Sequence, residues 1–151
     1  MTVAETSAGE ARGKTPAHLW IVGVLALLWN LMGAFDYVAT QFKLEFYMKN
    51  FSEEQLAFFY GFPAWAVAGW AFGVWGAFVG SVGLLLRKKW AVWAFAVSLA
   101  GMIVSSIYSF GLSDGASMMG TFEYIFTAVI WVVAIALLAY ARVQANRGVL
   151  R

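Results

Sequence analysis

The sequence predicts an all-α polytopic membrane protein: an antiparallel bundle of four transmembrane helices with an outer interfacial helix. Three observations predict it. Hydrophobic residues fill 62% of the 151 positions and charged residues only 12%, against ~45–50% and ~25% in ordinary soluble domains. The apolar residues gather into four runs, each about as long as the ~20 residues that cross ~30 Å of hydrocarbon. Finally, Lys and Arg fall mostly at every second junction between the runs, as expected when successive spans reverse direction.

The chain begins with a polar segment, residues 1–17, rich in Ala, Gly, Ser, Thr and Glu. It has nothing to bury and reads as a flexible cytoplasmic tail. The four-helix domain covers 18–142, opening with His18, an interfacial side chain rather than a ligand. Helix 1 spans about 19–39. Its apolar core is too long for a secretory signal, and Asp36 and Tyr37 occupy the place of a cleavage site, so it reads as an uncleaved span. Helices 2, 3 and 4 cover about 63–86, 90–112 and 121–141. Runs this long and continuous are helices rather than barrel strands. Residues 143–151 form a basic cytoplasmic tail.

Orientation follows from charge. Arg12, Lys14, Arg87, Lys88, Lys89, Arg142, Arg147 and Arg151 share one side; Lys43 and Lys49 lie on the other with Asp36, Glu45, Glu53, Glu54, Asp114 and Glu123. With Glu5 and Glu10 on the inner side, the net +2 divides into +6 inside and −4 outside. Both termini are expected in the cytoplasm, the membrane being a bacterial inner membrane. The basic residues read as insertion topology, not as a nucleic-acid surface.

Residues 40–62 form the outer interfacial segment. Ser52-Glu53-Glu54-Gln55 has the capping-box form, so a helix is expected from Ser52 toward Tyr60, ended by Gly61 and Pro63. Its aromatics suit either a membrane-surface helix, the favoured reading, or a lid over a site.

Helix 2 carries the sharpest pattern. Ala66, Gly69, Gly73, Gly76, Gly80 and Gly83 step alternately by three and four, a stripe almost without side chains that calls for close backbone contact. Helix 3 has a matching line at Ala91, Ala94, Ser98, Gly101 and Ser105. Packing of helix 2 on helix 3 is favoured; a second protomer or larger complex is the alternative. Trp65, Trp70 and Trp75 fan around helix 2, and most aromatics read as interfacial belt and lipid-facing bulk.

Charge inside a span is costly and therefore points to function. Asn30, Asp36 and Tyr37 on helix 1, Ser105, Ser106 and Ser109 on helix 3, and Glu123 on helix 4 are the candidate lining of an outward-opening polar cavity. Their chemistry is cation coordination, proton binding or hydrogen bonding to a hydroxylated solute. Structural alternatives stay open: Asp36 reaching a headgroup, Lys43 or a Ser hydroxyl, Glu123 favoured by the helix dipole, and Asn30 joining helices. Without Cys, and with a single His, there is no thiolate, no nucleophile–base pair and no recognisable metal set. No catalytic residue, metal or cofactor is expected, and the protein reads as a non-enzyme.

Gly33-Ala34-Phe35-Asp36-Tyr37, Tyr60-Gly61-Phe62-Pro63-Ala64-Trp65-Ala66-Val67-Ala68 and the basic C-terminal tail resemble a group of small, largely uncharacterised bacterial four-span inner-membrane proteins, some loosely labelled sugar transporters. The resemblance covers about 19–151 and implies no catalytic motif. Two functions follow as expectations. The first is action through helix contacts, as a homo-oligomer or an accessory subunit of a larger complex, with the lipid bilayer as the other partner. The second is a transport element for a small, sugar-like solute or for a cation or proton.

Overall fold

A computed structural model describes residues 15–113 and 120–151. The expected N-terminal tail over 1–14, with Arg12 and Lys14, and Asp114 in the last loop lie outside the described residues. The chain forms α1 (Ala17–Gln41), α2 (Glu45–Met48), α3 (Glu53–Tyr60), α4 (Ala64–Leu85), α5 (Trp90–Ser106) and α6 (Thr121–Asn146). A π-helical turn, Ile107–Leu112, prolongs α5. No strand occurs among the described residues. α1, α4, α5 with its π turn, and α6 are each long and apolar enough to cross a membrane. Their outer faces carry exposed Ile21, Trp93, Val132 and Ile135, a sheath suited to lipid rather than to water.

The boundaries follow from local chemistry. Pro16 and Pro63 immediately precede α1 and α4, where the missing N–H costs no helical bond. Ser52 caps α3 in a complete capping box: its hydroxyl accepts from the Gln55 N–H at 3.2 Å, and the Gln55 side chain accepts from the Ser52 N–H at 3.0 Å. The Gly120 N–H donates to Glu123 Oε2 at 3.0 Å at the start of α6. α6 continues five residues past Ala141, since nothing in Arg142–Asn146 breaks a helix. It ends where Gly148 adopts φ +77°.

The glycine stripe decides how α4 and α5 meet. Contacts run from Gly83 on Trp90 and Ala91, through Gly76 on Ala94 and Ser98, to Gly69 on Gly101 and Ser105. At the tightest point a Cβ on Gly101 would lie 2.5 Å from the Gly69 carbonyl oxygen. Ser98 donates its hydroxyl to the Gly73 carbonyl at 2.6 Å, so the contact is also hydrogen-bonded. α1 lies on the other side of α4. The Asn30 amide donates to Ser81 Oγ at 2.7 Å and to the Ala77 carbonyl at 3.2 Å, and Gly23 lies against Leu85.

The two ends of the bundle differ. At the end bearing Arg87–Lys89, Leu19, Leu84, Ala91, Ala141, Val149 and Leu150 join one buried cluster. The expected basic tail is not free there. The Arg151 N–H donates to the Arg87 carbonyl at 2.8 Å, and the Lys89 N–H donates to the Arg151 carbonyl at 3.3 Å. Leu150 is fully buried. The reason is its apolar Val149-Leu150 pair, which follows the Gly148 reversal and covers the cluster. At the opposite end, bearing α2 and α3, the spans part around a cavity.

Candidate functional site

The cavity has a volume of about 780 Å³ and is lined by residues from α1, α3, α4, α5, the π turn and α6, with Tyr47 from α2. A volume of this size lies in the ~300–1,000 Å³ range of small-molecule sites. Along α6 it is lined from Glu123 to Leu137, a depth of roughly 20 Å at about 1.5 Å per residue. Its floor, at Phe95 and Leu137, belongs to the buried cluster. The space therefore reaches from α3 to the buried cluster at the Arg87 end.

Its polar groups are supplied by distinct local devices. On α1, Asn30, Gly33 and Asp36 follow one another at three-residue steps and share a sector. Gly33 leaves this wall bare, with nothing within 4 Å of where a Cβ would stand. On α5, Ser105 and Ser106 sit at the last α-helical turn, and the π turn brings Ser109 and Phe110 to the same wall. Turns of this kind insert one residue into the helical repeat and often accompany binding sites. Glu123, exposed in the first turn of α6 and accepting from the Gly120 N–H, borders the space, where its charge also suits the positive helix end.

The structure thus brings Asn30, Asp36, Ser105, Ser106, Ser109 and Glu123 around one space. Tyr37 is not among them. One residue beyond Asp36 turns it about 100° away, and its ring stands edge-on to Trp70 and Trp75, with centroids 5.0 Å and 6.2 Å apart. Asp36 is also not partnered by Lys43, whose Nζ lies 4.6 Å over the Tyr60 ring. Instead the Tyr47 hydroxyl donates to Asp36 Oδ1. Burial, and then the hydrogen bond and charge of Asp36, push the Tyr47 hydroxyl well above its usual pKa, so it stays a donor at ordinary pH. Asn30, engaged with Ser81 and Ala77, joins α1 to α4 while still touching the cavity.

Sequence reasoning missed Tyr47, Gln55, Phe58, Thr127 and Trp131, all of which line the cavity. Tyr47 reaches Asp36 because the chain reverses after α1 at Lys43, whose φ is +53°; no helical period links the two residues. Gln55, Phe58 and Phe59 bring α3 onto the mouth. α3 is held there by rings: Phe58 and Phe62 lie 5.1 Å apart, and Phe62 meets Tyr108 of the π turn at 4.7 Å. Trp29, Trp70 and Trp131 also line the space, so these aromatics are not lipid-facing bulk.

The lining offers carboxyl, hydroxyl and amide groups set among rings and aliphatic side chains. Among the described residues, no group of three or more His, Cys, Asp or Glu could hold a metal ion, and Ser105, Ser106 and Ser109 have no imidazole or amine on the lining beside them. No family model, curated protein or solved structure matches the chain.

Proposed function

We propose that the chain is a non-enzymatic inner-membrane protein that receives a small molecule in an outward-opening cavity between its spans, as the binding element of a transport process. In this reading the four spans cross antiparallel with both termini in the cytoplasm. α3 rests at the outer interface as a cover on the cavity mouth. One observation carries the reading: six of the seven polar residues expected to line a cavity surround a single space of about 780 Å³. Buried polar groups in a lipid environment are costly unless used, and a site with a few placed polar groups in apolar walls is the usual form of a small-molecule pocket.

The test is native mass spectrometry of the protein released from nanodiscs, beside Gly33→Trp, which fills the cavity from its bare wall. The expected result is a bound small molecule on the wild type and none on the variant, with equal folded yield. The same adducts on both proteins would overturn the reading.

Action through helix contacts is the second reading. The glycine stripe that motivates it is taken up between α4 and α5, so it rests instead on α6, of whose most apolar window only 11% is buried. Monomers alone in native mass measurement, with no crosslinked partner in membranes, would end it.

A further inference from the structure

Resting on that cavity reading, we propose that the ligand is an amphipathic organic cation: a protonated amine carried on an apolar, partly aromatic body. Charge decides the head. Among the described residues the ionisable side chains on the lining are Asp36, Glu123 and Tyr47, and no Lys, Arg or His lines the space. The cationic group closest in sequence on this side, Lys43, is turned onto the Tyr60 ring, and Asp36 takes a neutral hydroxyl donor instead. Half-buried Asp36 and exposed Glu123 border this largely apolar space with no Lys, Arg or His among its described lining residues, which matches a ligand that brings a positive charge. An inorganic cation fits less well, because among the described residues no third carboxylate or imidazole joins them.

The walls decide the body. From the mouth downward, the lining includes Phe62, Phe110, Phe126, Trp29, Trp131 and Leu137. Ring faces attract an ammonium and its polarised N-methyl groups, and the apolar floor rewards hydrocarbon. A sugar would leave most of its hydroxyls facing rings and aliphatic side chains, at a cost for each unmade hydrogen bond. Ser105, Ser106 and Ser109 stand on the α5 wall, and Asn30, Gln55 and Thr127 are scattered singly over the others, enough to orient a ligand among walls that are mostly apolar.

The experiment uses the full chain in nanodiscs, with empty nanodiscs subtracted for partition. Tryptophan fluorescence is titrated with N,N-dimethyl-4-phenylbutylamine, with its neutral carbon isostere (5-methylhexylbenzene), and with glucose. The expected result is saturable binding of the amine, at least about tenfold tighter than the isostere, weakened at least about tenfold in Asp36→Asn or Glu123→Gln. Glucose is expected to produce no saturable change. Equal binding of amine and isostere, preference for glucose, or undiminished amine binding in both carboxamide variants would overturn the cationic assignment. So would the absence of saturable amine binding. Gly33→Trp tests the cavity separately from the charge: an amine signal that survives there sinks the cavity reading itself. If Asp36→Asn fails to fold, Glu123→Gln and the isostere comparison still decide the matter.

Discussion

The Tyr47 hydroxyl donates to Asp36 Oδ1, eleven residues upstream, and so ties the short helix α2 to the last turns of α1 at the cavity mouth. The ring of Tyr47 also stands edge-on to Phe35, with centroids 5.5 Å apart. Tyr47→Phe should keep the ring contact and lose only the bond, costing about 1–3 kcal/mol because the acceptor is a partly buried carboxyl group. Reversible unfolding in mixed micelles measures it. A neutral result would mean that Asp36 finds water instead.

The same residue makes a pH prediction. Burial, with Asp36 beside it, raises the folded pKa of Tyr47 above the ~10 of an unfolded tyrosine. The stability linked to this group is therefore fully present below about pH 10 and is lost as the pH rises through the raised value. Wild type minus Tyr47→Phe absorbance near 295 nm should show no ionisation step at about pH 10. A normal step there would contradict the burial of the hydroxyl.

Two glycines should respond in opposite directions. A Cβ at Gly101 would stand 2.5 Å from the Gly69 oxygen and 2.6 Å from the Gly73 nitrogen, both backbone atoms that cannot swing aside. Gly101→Ala should destabilise by about 1–3 kcal/mol through overpacking. Gly33 has nothing within 4 Å, so Gly33→Ala should be neutral or stabilising by up to about 1 kcal/mol from helix propensity. Steric-trap or denaturant unfolding of the pair tests this. Equal effects would mean that the α4–α5 contact relaxes freely.

Ser52→Ala removes the acceptor for the Gln55 N–H and should cost about 1 kcal/mol, confined to α3. Hydrogen exchange should accelerate at the first turn of α3 and leave α4 and α5 unchanged. Acceleration throughout the bundle would show that α3 is integral to the fold rather than a separable cover.

Leu150 is fully buried among Leu19, Leu84 and Ala141. Leu150→Ala should cost about 2–5 kcal/mol, whereas a free tail would tolerate it. Loss of protection at the Arg151 amide would accompany the loss, since that N–H is bonded to Arg87.

Much of this was legible along the chain because it depends on period and local chemistry. The four apolar runs specify four helices since lipid leaves the backbone no other partner. Ser52 and Gln55 are three residues apart and read directly as a cap. The glycine stripe demanded a close neighbour, and part of what meets it on α5, Ala91, Ala94, Ser98, Gly101 and Ser105, is a line of small side chains visible in the sequence, while the Phe95 ring on Gly80 is not. Asn30, Asp36, Ser105, Ser106, Ser109 and Glu123 could be chosen as polar groups set among apolar ones.

What they surround could not be chosen that way. The volume of the cavity, and a lining that holds Asp36 and Glu123 but, among the described residues, no Lys, Arg or His, arise from how the spans pack around Leu19, Leu84 and Leu150 at the Arg87 end and stand apart elsewhere. Tyr37 turned to Trp70 while Tyr47, unmarked by any spacing, took Asp36. Residues within one helix are related by a fixed 3.6-residue turn, so their sector is written in the chain. Residues on different elements meet only after a loop has reversed and two faces have packed, and that geometry belongs to the folded bundle alone.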